Sequence, residues 1–217
     1  MSRPCVIVAA HPDDEAVGAA SLLLRIPGAA VVFLTDGAPR DPGLRSGPRT
    51  SREAYAEARH AEAGAALAVA GLGAGDAVFL GGDDQDAIGA LAPLAEELAR
   101  VLATLAPRLL VAHAFEGGHP DHDAAALAVR AARALLARRG IALPHPTEMT
   151  SYHLLEGDFV TGEFLPGPPA LTVTLDADEQ DAKRRMLAAY ASQREVLEPF
   201  GVEAERFRRG PRITLDD

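Results

Sequence analysis

The chain has 217 residues, 48% of them apolar and 24% charged, which is the balance of an ordinary globular protein. A core at this length can bury roughly 70% of the surface of the unfolded chain, so neither disulfides nor metal is needed for folding, and a metal would be there for chemistry. Against 31 acidic side chains stand 21 basic ones, and the resulting charge of −10 argues against nucleic acid or anionic lipid as a partner.

One domain, residues 1–217, is the natural count. The single cysteine, Cys5, excludes an internal disulfide framework and suits a reducing compartment; inside the run Val6-Ile7-Val8 it reads as a buried packing residue. No apolar run reaches the ~18 residues of a membrane span, and Met1-Ser2-Arg3-Pro4 leads into strand-like sequence without a secretory pattern. The expectation is a cytoplasmic protein without a membrane span.

Short apolar runs alternate with alanine-rich segments, the pattern of βαβ units around a mostly parallel sheet. Strands are expected at Cys5–Ala9, Ala30–Leu34, Ala77–Leu80 and Leu109–Ala112, each apolar enough for burial on both faces. Helices are expected at Glu15–Leu24, Ser51–Ala70, Ala90–Leu105 and Asp123–Arg138, with Gly71 and Pro107 as stops. Beyond Gly140 the pattern weakens. Thr150–Leu155 and Ala170–Leu175 read as strands, Asp178–Glu195 as a helix, and Gly157–Pro169 as a loop. The basic run from Arg206 to Arg212 reads first as a solvated patch, then as an interface or a substrate clamp.

Two histidine-acid clusters follow predicted strands: Ala10-His11-Pro12-Asp13-Asp14-Glu15 and His119-Pro120-Asp121-His122-Asp123. With strand order 3-2-1-4-5, the order reverses between strands one and four, so both clusters open into one crevice at the strand carboxyl ends. His11 and Asp14, three apart at a helix start, can converge while Asp13 aims elsewhere. One histidine of the second cluster completes a set of two imidazoles and a carboxylate with a position left for water, the make-up of a catalytic zinc site. Asp13 is then placed to take the proton of the water. The competing explanation is helix capping, by Asp13 or Asp14 with Glu15 in one cluster and by Asp121 or Asp123 in the other. His60, His113, His145 and His153 are scattered and are assigned no role. Gly71-Leu72-Gly73-Ala74-Gly75 lies between a helix and a strand, the reverse of a dinucleotide site, while Asp84 after the third strand is a candidate for holding a substrate hydroxyl.

These two clusters closely resemble the motifs of the PIG-L/LmbE-like zinc-dependent de-N-acetylases. Thr35-Asp36-Gly37, Arg59-x-x-Glu62 and Leu80-Gly81-x-x-Asp84 are similar to further family elements, and beyond residue 130 the likeness thins to Lys183, Ser192-Gln193, Glu205 and Phe207. The resemblance implies an α/β, Rossmann-like three-layer sandwich with its active site at the strand carboxyl ends, and removal of acetyl from an N-acetylated amino sugar of the N-acetylglucosamine type. His11, Asp14 and His122 would hold zinc, with iron or cobalt as admissible substitutes, and Asp13 would be the general base. A protonated His119 would stabilise the oxyanion, and Asp121 would orient it. Arg59 and Asp84 match positions associated with sugar or phosphate groups, with Arg52 competing for the role of Arg59. The tyrosine that some relatives carry before the second motif is absent from Ala114-Phe115-Glu116-Gly117-Gly118, which leaves Glu116 open as a contact to substrate or water. The rival readings are an amidase acting on a non-sugar amide, such as a thiol conjugate or antibiotic intermediate, and a non-catalytic zinc- or sugar-binding module. Specificity is expected in loops 38–50, 114–118 and 156–169, and self-association is left open.

Overall fold

The computed structural model describes residues 2–46, 51–167 and 170–210. Its strands are β1 (Cys5–Ala9), β2 (Ala30–Thr35), β3 (Ala77–Gly82), β4 (Leu109–His113), β5 (Thr147–Met149), β6 (Tyr152–Leu155), β7 (Asp158–Thr161), β8 (Ala170–Thr174) and β9 (Ala204–Arg209). Its helices are α1 (Asp14–Gly18), α2 (Ala20–Arg25), α3 (Arg52–Val69), α4 (Leu91–Leu105), α5 (Pro120–Arg138), α6 (Ala177–Ala189) and α7 (Arg194–Leu197).

Seven strands form one sheet in the order β3-β2-β1-β4-β5-β9-β8, with β6 and β7 as a separate hairpin. The first five strands in that order pair parallel, and β9 and β8 extend the sheet antiparallel. Strand periodicity divides the central strands between two cores. Cys5, Ile7, Val31, Phe33 and Val111 pack with Leu23, Leu67 and Met186, while Val6, Val8, Val32, Leu34 and Leu110 pack with Leu98, Leu102 and Val129. Each fully buried side chain of this size contributes roughly 1.5–3 kcal/mol, and Cys5 is among them at 0% exposure.

The expected first helix is in fact two, broken at Ala19 (φ −145°). A Cβ at Gly18 would come within 2.6 Å of the Thr150 carbonyl oxygen, so α1 approaches the end of β5 as only glycine permits. The fourth expected helix starts earlier, at Pro120, because proline at the first helical position has no N–H to leave unpaired. That extension brings Asp121 and His122 into its first turn.

The expected strand Thr150–Leu155 is replaced by β5 in the sheet and β6 in the hairpin. The expected loop Gly157–Pro169 contains β7, joined to β6 through Glu156 (φ 53°) and Gly157 (φ 96°), the two positive φ values of a tight two-residue turn. The last expected helix ends at Ala189, where Tyr190 leaves helical geometry, and resumes as α7. The basic run is largely β9. Arg208 is paired with Glu148 (2.8 Å) and Glu116 (3.2 Å), and Arg206 donates to the Gly162 carbonyl, so these two arginines are structural ties, while Arg212 lies outside the described residues. No described helix is long and apolar enough to cross a membrane.

Candidate active site

Strands β1 and β4 are neighbours, and the helices that follow them pack on opposite faces of the sheet, α1 in one core and α5 in the other. Their carboxyl ends therefore open into a common crevice. Both histidine-acid clusters meet there, 110 residues apart in sequence, with His11 Nε2 3.0 Å from Asp121 Oδ2.

Asp14 is the hub. Its Oδ2 accepts the His11 N–H (2.7 Å) and lies 3.6 Å from His11 Nδ1, and its Oδ1 lies 3.1 Å from His122 Nε2. A third imidazole, which sequence reasoning left without a role, joins it: His113 Nε2 is 3.1 Å from Asp14 Oδ2, and the ring stacks on His122 with centroids 4.2 Å apart. Burial works to raise the Asp14 pKa, but the facing His122 and His113 reverse the effect and hold it well below the usual carboxylate value. For His11, burial works downward, and hydrogen bonds to Asp121, Asp14 and Asp84 outweigh it, so its pKa stands well above the ordinary value.

Asp13 has φ 130°, a backbone conformation that L residues rarely adopt and that costs on the order of 1–3 kcal/mol. Three buried side chains hold it there. The carboxyl group of Glu15 accepts the Asp13 N–H (3.1 Å) through one oxygen and the Tyr190 hydroxyl (2.5 Å) through the other. Arg59 donates to Asp13 Oδ2 (2.9 Å) and to the Pro12 carbonyl. A Cβ at Gly37 would lie 2.9 Å from Pro12 Cδ and 3.0 Å from Arg59 Nε, and at φ 65° this turn of Thr35-Asp36-Gly37 keeps room for the guanidinium. Burial raises the Asp13 pKa, Arg59 partly offsets it, and the result is about 6, suited to a base working near neutrality.

None of these aspartates caps a helix through its side chain, although Asp14, Glu15, Asp121 and Asp123 stand in first turns. Asp13 makes no side-chain cap, Asp14 binds the His11 N–H, and Asp121 accepts the N–H groups of Gln85 and Ala87. Asp123 accepts those of Glu116 and Gly117. Helix α5 is capped by His119, whose Nδ1 accepts the Asp121 N–H (3.1 Å).

Several expected roles need correction. Arg59 is 2% exposed and bound to Asp13, so it positions that carboxylate and does not present a free cation to substrate. Arg52, its rival, is paired with Asp36 and Asp83. The Asp121 carboxylate faces His11 and the loop after β3, and its link to His119 runs through its backbone N–H instead. His119 is expected protonated, yet burial, reinforced by His11 and His122, depresses its pKa to about 4. With Nδ1 accepting the Asp121 N–H, neutral His119 has Nε2 for its proton, and Nε2 lies 2.9 Å from the Gln85 side-chain amide, which would then present its oxygen to the ring. Glu116 is engaged by the Leu165 N–H (2.8 Å) and Arg208 (3.2 Å) and is not among the residues that line the crevice. Asp84 does line the crevice, with Oδ1 3.3 Å from His11 Nε2.

A cavity of about 260 Å³ opens over these groups. Its wall contains His11, Asp13, Asp14, Asp84, His119 and His122, and also Tyr152 and Gln193, two residues missed by sequence reasoning as part of the site. The Tyr152 ring lies edge-on to His122 (5.2 Å), and burial pushes its hydroxyl up to about 12, so it stays protonated. Ser192-Gln193 has a structural meaning: Ser192 donates through N–H and hydroxyl to Glu62 (2.8 and 2.6 Å), and Gln193 donates to the Tyr55 hydroxyl (2.9 Å). These bonds tie the Arg59-x-x-Glu62 helix to the turn before α7. No local pattern marks such partners, because they meet only when α3 and α6 pack side by side.

The profile of the family described as PIG-L, GlcNAc-PI de-N-acetylase matches residues 6–133, the stretch that holds both clusters. The chain belongs to the PIG-L family. Among curated proteins no significant sequence relative matches it. Solved structures share the fold of this PIG-L protein at low identity. The A40926 pseudoaglycone deacetylase Dbv21 is 19% identical, with a TM-score of 0.68 over 98% of this chain and 100% of its own. The N,N'-diacetylchitobiose deacetylase of Pyrococcus horikoshii is 16% identical, with a TM-score of 0.67 over 95% of this chain and 83% of its own. GalB, the 4-carboxy-2-hydroxymuconate hydratase of Pseudomonas putida KT2440, is 19% identical, with a TM-score of 0.64 over 99% and 98%. A hydratase beside two deacetylases means that the reaction must be argued from the site and not from the fold.

The donor set fits a divalent metal. Among the described residues, three overlapping groups place their donor atoms within 4.8 Å of one another: His11/His119/His122, Asp14/His113/His122 and His11/Asp84/Asp121. The expected trio His11, Asp14 and His122 is joined pairwise through Asp14. The carboxylates that favour a proton on His11 provide the negative potential a cation needs, so metal binding would release that proton.

Proposed function

We propose that this chain is a metal-dependent hydrolase that removes the acetyl group from an N-acetylated amino sugar, with residues 1–217 as one deacetylase domain. The observation that carries the reading is the strained, buried Asp13, its carboxylate on the wall of the same cavity as His11, Asp14 and His122. A purely binding site needs no base held at such cost. His11, Asp14 and His122 would hold zinc, which when bound supplies a Lewis acid and lowers the pKa of water toward neutrality.

The work of the protein side chains follows from their placement. Asp13 takes a proton from the attacking water as the new C–O bond forms at the acetyl carbon. The Nε2–H of neutral His119 donates to the carbonyl oxygen as negative charge develops, the interaction that such a site contributes most strongly. The C–N bond then breaks, the leaving nitrogen receives the proton that Asp13 took, and the amine and acetic acid remain, the acid releasing its proton to give acetate. Asp84 is placed to accept a hydrogen bond from a sugar hydroxyl.

The test is acetate release by the zinc-loaded protein from N-acetylglucosamine and its conjugates, beside a panel of non-sugar amides and thiol conjugates. Sugar amides should be hydrolysed, and a chelator should abolish turnover. Hydrolysis confined to non-sugar amides would move the assignment to the amidase alternative, and metal binding without hydrolysis of any amide would leave a binding module.

A further inference from the structure

A large part of the cavity wall takes no part in this chemistry. Val17, Leu44, Tyr152, Val196, Leu197 and Phe200 line it with apolar surface, and Leu44 and Val196 are 58% and 54% exposed. The apolar surface continues outward. The Tyr152 ring lies 4.9 Å from Phe159 and 6.2 Å from Phe200, and Phe159, on the β6–β7 hairpin, is 51% exposed. Apolar surface left open beside a polar catalytic cleft marks a ligand contact more often than a packing defect.

Beside that apolar wall the described lining residues offer an anion no free side-chain cation. Among the described lining residues the one guanidinium, Arg59, is bound to Asp13, whereas the Asp84 carboxylate faces the cavity. A phosphate placed on the aglycone side, away from the metal ligands, would find no lysine and no unpaired arginine among the described lining residues.

We propose that the substrate of this site carries an uncharged apolar group beside the scissile amide, an aryl or alkyl aglycone on the amino sugar lying against Tyr152, Val196 and Phe200, and not a phosphate-linked one. This assignment rests on the deacetylase reading and narrows its substrate class.

The test compares kcat/KM for acetate release by zinc-loaded protein from methyl and phenyl N-acetyl-β-D-glucosaminides, N-acetylglucosamine 1-phosphate and the N-butyryl methyl glycoside. The phenyl glycoside should exceed the methyl one about tenfold, as expected for partial burial of a ring, and the 1-phosphate should fall below both. Val196→Ser and Phe159→Ser, at half-exposed positions that tolerate polar side chains, should reduce the phenyl-to-methyl ratio to about threefold or less. A ratio near one, or preference for the 1-phosphate, overturns the proposal, and a gain confined to the N-butyryl compound overturns the aglycone assignment by moving the apolar group to the acyl side. Calorimetric affinities of phenyl and methyl β-D-glucosaminide, the amine products, separate this proposal from the reading beneath it. Tighter phenyl binding without hydrolysis of any glycoside sinks the deacetylase and keeps the apolar subsite. Hydrolysis with equal product affinities and equal rates does the reverse.

Discussion

The stretch from β1 to α5 and the stretch from β5 to β9 differ in what they supply. The first holds every expected ligand and the base at the ends of parallel strands buried on both faces. The second is antiparallel and more exposed, with β8 open along most of its length, and it adds Tyr152, Gln193, Val196 and Phe200 to the cavity wall. Met149, Met186, Tyr190, Leu197 and Phe207 join it to the core of the first, and buried polar ties add to that packing. Lys183, 1% exposed, donates to the Val17 carbonyl (2.7 Å) and to Glu205 (2.7 Å), which also accepts the N–H (3.0 Å) and hydroxyl of Ser21. Tyr190 reaches Glu15, and Ser192 reaches Glu62. The first region carries the chemistry, and the second clamps the helices on which that chemistry stands and shapes what enters.

If that division is right, Asp13→Ala should give the largest effect. Turnover should fall about 10²- to 10⁴-fold, the typical worth of a general base, with metal content unchanged, whereas His122→Ala should lose metal and turnover together. Steady-state kinetics with metal analysis checks both, and normal activity in either variant removes that residue from the mechanism. Lys183→Met tests the clamp. It leaves Glu205 buried without its cation, which should cost about 3–5 kcal/mol in urea unfolding, and Lys183→Met with Glu205→Leu should recover much of the loss. A single variant as stable as the parent would show that the two regions are held by packing alone.

Glu15→Gln gives a smaller effect with a defined sign. Burial raises the Glu15 pKa from 4.5 to about 8, above its value in the unfolded chain. The folded protein therefore keeps a proton that the unfolded chain has released, and the contribution of this group is lost as pH rises from about 5 to 8. The parent should lose about 1.4 kcal/mol per pH unit relative to the glutamine variant, between pH 6 and 7 for instance, as read from paired denaturation curves. Parallel curves would mean that Glu15 is ionised throughout and accepts the Asp13 and Tyr190 hydrogen bonds as a carboxylate.

The legible parts were those with a local cause. Apolar runs bounded by turn residues located β1 to β4, and the two histidine-acid clusters stood out by spacing. The turn at Glu156-Gly157 was a missed local signal, and β9 was masked by its arginines, although Glu205 and Phe207 alternate inward along it. The partners of His113 and Arg59 were hidden for a different reason. A lone histidine at a strand end and an arginine on a helix look the same in sequence whether they face water, substrate or a buried carboxylate, and the partner that decides comes from another element.

The order of residues by itself determined the α/β class, the central strand order and the convergence of both clusters, because hydrophobic periodicity and right-handed crossovers leave few arrangements of alternating strands and helices. Packing alone decided that Asp121 faces His11, that Arg59 and Glu15 hold Asp13 in a strained backbone, and that an apolar wall flanks the site. Those outcomes depend on which buried charge finds which partner across distant elements, and electrostatics in a low-dielectric interior is set by distances that no spacing along the chain contains.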